Sequence, residues 1–314
     1  MDRISSLQHL YIINCCSLKS FRGHSLASLK SIYIQNCRGF KVFPPVEKTD
    51  RYEELEYLCI GNSYYFLISL PLSFVPNLRT LSIWDCAHLE SFSIPEEIQE
   101  SPMSLEALKI RDCPKLVSFP KGGLPTPKLT SIWFSNCKNL KELAHQLHTL
   151  ISLHSMFINN CPELVSLLEV GLPSKLSLLS ITFCNKLMLG KEWGLHKLAC
   201  LSRLEIEGRC KNVVSFPEEN LLPNSLKSLR ISGLLNLKYV NYKGLQHLTG
   251  LKTLEISCCN RLRSLPKEGL PSLLSFLCIK ECFLLKSKLQ NKTGNDWSNI
   301  THIACIEIDE EVIS

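Results

Sequence analysis

One phrase, L-x-x-L-x-I-x-x-C-x-x-L, returns along the whole chain, and its spacing leaves few architectures open. It reads "LRTLSIWDCAHLESF" from Leu78, "LEALKIRDCPKLVSFP" from Leu105 and "LKTLEISCCNRLRSLP" from Leu251. The first leucine falls at Leu7, Leu29, Leu55, Leu78, Leu105, Leu129, Leu153, Leu176, Leu201, Leu226, Leu251, Leu274 and, in degenerate form, Ile300. These anchors lie about 24.4 residues apart on average, inside the window of roughly 20–29 residues that marks a stack of short coils. A chain of 314 residues exceeds what one compact core usually serves, so a single extended array is expected.

Each position in the phrase has a mechanical reason. In "LEALKI" the residues alternate, sending Leu108 and Ile110 inward and Ala107, Lys109 and Arg111 outward. One such strand cannot bury its inner face alone, but the next turn of chain laid beside it can. The expectation is an α/β repeat fold of the leucine-rich-repeat type: a curved solenoid of about thirteen coils, with a parallel sheet on its concave face. One domain is expected over residues 1–314, with irregular inserts near 44–54, 64–77 and 92–104 and a closing segment at 286–314. Proline-marked returns such as "EVGLPSKL", "ENLLPNSL" and "KEGLPSLL" break the strand. Two others, "ELAHQLHTLISL" (142–153) and "YKGLQHLTGL" (242–251), read as short helices.

Eight residues beyond the first twelve anchors stand Cys15, Cys37, Ser63, Cys86, Cys113, Cys137, Cys161, Cys184, Arg209, Leu234, Cys259 and Cys282, with Cys210 one residue out of step. A cysteine slot shared by nine of twelve coils is a packing position rather than nine catalytic centres. A small buried thiol can fill the bend and donate weakly to backbone. Disulfides are not expected, because the side chains run parallel and nothing marks the chain for an oxidising compartment. Zinc is not expected either, since no C-x-x-C occurs and the repeat turns Cys278 outward but Cys282 inward.

Other chemistry is only apparent. "GHSLA" at 23–27 imitates a nucleophile elbow, but Ser25 sits four residues before an anchor, as do Thr149, Lys197 and His247, in a return segment. His24, His148 and His196 share the preceding slot, and the pair His145 and His148 lacks a third ligand. No phosphate-binding G-x-x-x-x-G-K-[ST] occurs. No catalytic residue, metal or cofactor is expected, and the reading is of a binding protein. The formal net charge of +6 is scattered without a basic run, which argues against nucleic acid. The most apolar stretch, "YYFLISLPLSFVP", is short and broken by Pro71, so no membrane span is expected. "MDRISSLQHLYI" lacks a signal-peptide core, which points to the cytoplasm or nucleus.

The cysteine-bearing repeat, joined to "SFPKGGLP", "SFPEENLLP" and "SLPKEGLP", closely resembles the C-terminal repeats of plant intracellular nucleotide-binding leucine-rich-repeat disease-resistance proteins of the coiled-coil class. "DWSNITHIACIEID" is similar to the closing strand of that region. The resemblance implies recognition of a pathogen effector or of a guarded host protein, and contact with a nucleotide-binding module where the repeats belong to a longer chain. No such module lies in this sequence, so a fragment or an independent protein is expected. A stand-alone repeat adaptor or the substrate-recognition subunit of a ubiquitin ligase is the alternative, although no adaptor-docking motif precedes Leu7.

Recognition residues are expected where the repeats stop agreeing, on the outward strand positions. The early coils present Tyr11, Tyr33, Tyr57, Trp84, Trp133 and Phe157, the kind of side chain that anchors protein interfaces. Lys109 and Arg111 lie in the middle, and the later coils present Arg203, Glu205, Glu207, Arg230, Glu255 and Lys280. Such charges govern partner choice more than raw affinity. The rival reading is that neighbouring aromatics simply cover one another.

Overall fold

A computed structural model describes residues 6–19, 28–39, 52–62, 68–93, 103–119, 124–143, 147–165, 171–187, 190–208, 213–290 and 295–313. Ser25, His24, His145, Ser63, Arg209, Cys210 and, of the three expected inserts, residues 44–51, 64–67 and 94–102 lie outside these residues. The chain divides into two compact units, Met1–Pro173 and Ser174–Ser314, each a length of parallel-sheet solenoid.

The described part of the first unit holds nine strands: β1 (His9–Ile13), β2 (Ser31–Gln35), β3 (Tyr57–Gly61), β4 (Ser69–Pro71), β5 (Thr80–Trp84), β6 (Ser91–Ser93), β7 (Ala107–Arg111), β8 (Ser131–Ser135) and β9 (Ser155–Asn159). Seven of them, all but β4 and β6, pair in parallel in chain order without a slip of register. The second residue of each strand therefore meets the same residue of the next: Leu58, Leu81, Leu108, Ile132 and Met156 form one inward row. That row is 0–2 % exposed, and the anchor leucines from Leu29 to Leu153 are all fully buried. Each such leucine contributes about 1.5–3 kcal/mol by leaving water, so a missed coil would strip both its neighbours.

The expected serine-phenylalanine signal does more than end the strand. Ser91-Phe92-Ser93 forms β6, which pairs in parallel with β4. Phe92 stacks on Phe119 at 5.5 Å, and Phe119 meets Phe134 edge-on at 5.2 Å. The return side thus carries its own ladder of buried rings.

The described part of the second unit repeats the plan with β10 (Leu178–Thr182), β11 (Arg203–Glu207), β12 (Ser215–Phe216), β13 (Ser228–Ser232), β14 (Tyr239–Val240), β15 (Thr253–Ser257), β16 (Phe276–Lys280), β17 (Cys305–Ile308) and β18 (Glu311–Val312). β10, β11, β13, β15, β16 and β17 are successive parallel neighbours, and β12 pairs with β14 on the return side. The proline-marked returns bury Leu172, Leu222 and Leu270. The closing segment supplies β17 as the last parallel strand and then doubles back in the antiparallel β18.

The two helical returns are shorter than the sequence suggests. Within 142–153 only a single 3-10 turn, Leu147–Thr149, forms among the described residues. In the other return α1 (Tyr242–Leu245) is one turn long, capped by the Asn241 side chain, which accepts from the Lys243 N–H. A coil of about 24 residues leaves no room for more after its strand and bend. Among the described residues one longer helix forms, α2 (Phe283–Leu289), followed by the single-turn α3 (Asn295–Ser298).

The cysteine slot lies inside the bend. Cys37, Cys86, Cys113, Cys137, Cys161, Cys184, Cys259 and Cys282 are 0–3 % exposed. Each thiol reaches the carbonyl two residues back, at 3.2 Å for Cys37 and 3.4 Å for Cys113. Cys37, Cys86 and Cys282 also reach a carbonyl of the preceding coil. Cys15 departs from the pattern and is exposed. All fifteen described cysteines are free. Cys278 corrects a second expectation: it takes the outward register position, between Glu255 and Glu307, yet is only 5 % exposed. Its neighbours on the flanking strands cover so short a side chain.

A further regularity sits one residue before the cysteine slot. Asn14, Asn36, Asn62, Asp85, Asp112, Asn136, Asn160, Phe183, Cys258 and Glu281 all have φ between 48° and 58°, and Gly208 and Gly233 complete the series with positive φ. This left-handed residue turns its N–H toward the next strand, as where Asp112 donates to the Ser135 carbonyl at 2.9 Å and Asn136 to that of Asn159 at 3.0 Å. In the first unit the side chains join in too. The Asn160 amide donates to Asn136, and the Asn136 amide donates to Asp112, at 2.9 and 2.6 Å. Asparagine and aspartate tolerate this region because their short side chains find local partners.

Candidate protein-recognition face

On each ladder strand the first, third and fifth residues face away from the core. The expected recognition residues all fall on these positions, but in three separate rows. Tyr11, Tyr33, Lys109, Trp133, Phe157, Glu205, Arg230 and Glu255 are third residues; Tyr57 and Arg203 are first; Trp84, Arg111, Glu207 and Lys280 are fifth.

In the first unit they gather into two aromatic pairs and one hollow. Tyr11 and Tyr33 lie 5.9 Å apart, tilted by 37°. Trp133 and Phe157 stack at 3.9 Å with 27° between their planes, and Trp133 remains 45 % exposed. Stacking and exposure therefore coexist, and mutual cover does not remove the ring from water. Tyr57 is 37 % exposed, and burial of its ring pushes its phenol pKa upward. As the first residue of β3 it lies in register between Ser31 and Thr80.

The hollow, of ≈ 320 Å³, is lined by Ser82, Trp84, Lys109, Arg111, Trp133 and Ser135 and the aliphatic edges beneath them. Register explains it. Ser82, Lys109 and Trp133 align across β5, β7 and β8, and Trp84, Arg111 and Ser135 align beside them. The two indoles occupy opposite corners and lean away from the centre. Trp84 lies against Gly61 so closely that a Cβ there would collide with its ring, and Trp133 lies against Phe157. Two hydroxyls fill the other corners, leaving open space above the two cations. Sequence reasoning missed Ser82, Ser135 and Gly61, although counting outward positions on each strand reaches all three.

In the second unit the outward charges pair with one another. Arg230 bridges Glu205 at 3.4 Å and Glu255 at 3.8 Å. Ser180 donates to Glu205, Ser232 donates to Glu207, and Lys280 meets Glu307 at 2.9 Å. Arg203 makes no ion pair among the described residues. Partly exposed pairs of this kind contribute only about 0–1 kcal/mol each, so they pattern the surface rather than hold the fold. His148 and His196 are exposed, as expected of residues on the return side. Among the described residues no group of three His, Cys, Asp or Glu could hold a metal, and no helix is long and apolar enough to cross a membrane.

A parallel ladder of coils of about 24 residues, with leucine anchors and a buried slot in each bend, defines a leucine-rich-repeat solenoid. Among solved structures, the functional domain of InlJ from Listeria monocytogenes, which includes a cysteine ladder, matches 88 % of this chain and 60 % of its own with a TM-score of 0.53 and 16 % identity. That likeness speaks to the fold alone. No family model matches the chain. Over 310 residues, 98 % of the chain, it is 44 % identical to the candidate disease resistance protein At3g14460 of Arabidopsis thaliana. It is 31 % identical over 145 residues, 46 % of the chain, to the candidate disease resistance RPP13-like protein 1 of the same plant. The chain is a leucine-rich-repeat homologue of plant disease resistance proteins, and it spans 22 % and 14 % of the length of these two.

Proposed function

We propose that this chain is the partner-recognising repeat region of a plant innate-immune receptor, working in the cytoplasm or nucleus. Its outward sheet face senses a pathogen effector, directly or through a guarded host protein. The observation that carries this reading is the Trp133–Phe157 stack beside the hollow, where the Trp133 ring is held in place and yet exposed. Pre-ordered aromatic anchors lose little freedom on binding, which is where interface energy concentrates. The homologues named for disease resistance favour an immune partner over any other protein. The charged face of the second unit selects among partners, and in a longer protein a nucleotide-binding module is a further contact. The role is binding, and no residue is given a catalytic part.

The test is co-precipitation of the chain, expressed in leaf tissue, with a panel of pathogen effectors and the host proteins they target. The triple variant Trp84→Ala, Trp133→Ala, Phe157→Ala loses the partner captured by the unaltered chain. Undiminished capture by that variant removes the sheet face from the account.

A further inference from the structure

We propose that the hollow on β5, β7 and β8 is a seat for an acidic side chain of the partner, an Asp or Glu flanked by an apolar residue. This deepens the reading above and rests on it. The argument begins with the charge of the seven ladder strands of the first unit. They contain two Lys or Arg residues, Lys109 and Arg111, and no Asp or Glu. Both cations stand on one strand, two residues apart, and both line the same hollow.

Neither cation is fully engaged. Lys109 makes no hydrogen bond or ion pair among the described residues. Arg111 meets Asp112 through Nε at 2.9 Å, which leaves the two terminal guanidinium nitrogens without an ion pair. The other oxygen of Asp112 accepts from the Asn136 amide at 2.6 Å, which holds that carboxylate to the bend. With Arg111 paired to Asp112, Lys109 is the cation of the hollow that no described carboxylate balances. A guanidinium end and a neighbouring ammonium suit a carboxylate, which can accept from both at once.

The walls decide what accompanies the anion. Trp84 and Trp133 lie against Gly61 and Phe157 and leave the space between them open. An apolar side chain next to the acidic residue packs against these indoles, and the Ser82 and Ser135 hydroxyls offer further donors. Nucleic acid fits poorly, since a phosphate backbone needs a run of cations, and here the flanking strands are uncharged on either side. An acidic peptide segment fits both the charge and the walls.

The probe is a phage-displayed library of random twelve-residue peptides, selected on the 314-residue chain. Recovered sequences are then synthesised and measured by fluorescence anisotropy. Enrichment of Asp or Glu beside an aromatic or aliphatic residue is expected. Replacing that acid by its amide, or making Lys109→Ala or Arg111→Ala, should weaken binding by roughly tenfold or more. Raising salt should weaken the unaltered pair and spare the amide peptide. Failure to recover acidic peptides, or equal binding by Lys109→Ala and Arg111→Ala, overturns the seat. If Trp133→Ala alone abolishes binding in that case, the sheet-face reading survives without it; if Trp133→Ala also has no effect, both fall. Phosphorylated counterparts of the same peptides are measured alongside, and tighter binding of these overturns the carboxylate assignment.

Discussion

Cys113 shows why a recurring thiol in this chain is inert. It is buried in the bend, it donates to the Arg111 carbonyl, and it shares a hydrogen bond with Cys86. That shared bond first, and burial second, hold its pKa well above the ordinary thiol range; Cys282 is raised in the same way by Cys259 and by burial. A folded-state pKa above the unfolded one gives stability that is present in full below the unfolded value. It is lost as pH rises, because the unfolded chain releases a proton that the folded chain keeps. The urea midpoint is therefore predicted to fall as pH rises from about 8 to about 10, across the unfolded thiol range. The variant Cys113→Ala should show a shallower fall in the same titration. An equal slope would mean that this thiol does not carry the effect.

The bend is the element that the sequence conceals. Its left-handed residue is Asn, Asp, Phe, Gly, Cys or Glu in different coils, so no single residue type announces it. The anchor leucines and the cysteine slot are legible because burial demands one kind of side chain at a fixed interval. The left-handed slot is set by backbone geometry instead, and any residue willing to bear the cost can occupy it. Asn136 donates to Asp112 and accepts from Asn160, as Asn36 donates to Asn14 and accepts from Asn62. Asn136→Ala should cost about 1–2 kcal/mol, from the strain of alanine at positive φ and the two lost side-chain bonds, read as a lower urea midpoint. Asn136→Gly should recover part of that, since glycine bears no strain there. Equal losses in the two variants would deny the conformational part. The returns differ from their sequence pattern for a related reason: leucine spacing in "ELAHQLHTLISL" fits a helix, but among the described residues a single turn forms.

At the scale of the whole molecule, the repeat puts the side chains that look reactive inside and leaves recognition to the residues that break the pattern. The parallel ladder could be inferred from the period alone. The grouping of Trp84, Lys109, Arg111 and Trp133 could not, because it depends on which outward row each residue occupies and which way its ring leans. Tyr57 and Arg203 share the category of outward residue with Trp133 but not its neighbours. The return side is the natural comparison, since Ile151 and Leu273 are large apolar residues there, 57 % and 62 % exposed. The most direct test is hydroxyl-radical footprinting of the chain alone and bound to the protein it captures. The account predicts that Trp84, Trp133 and Phe157 become protected while Ile151 and Leu273 oxidise as before. Protection of Ile151 and Leu273 with no change at Trp133 would place recognition on the opposite side and contradict it.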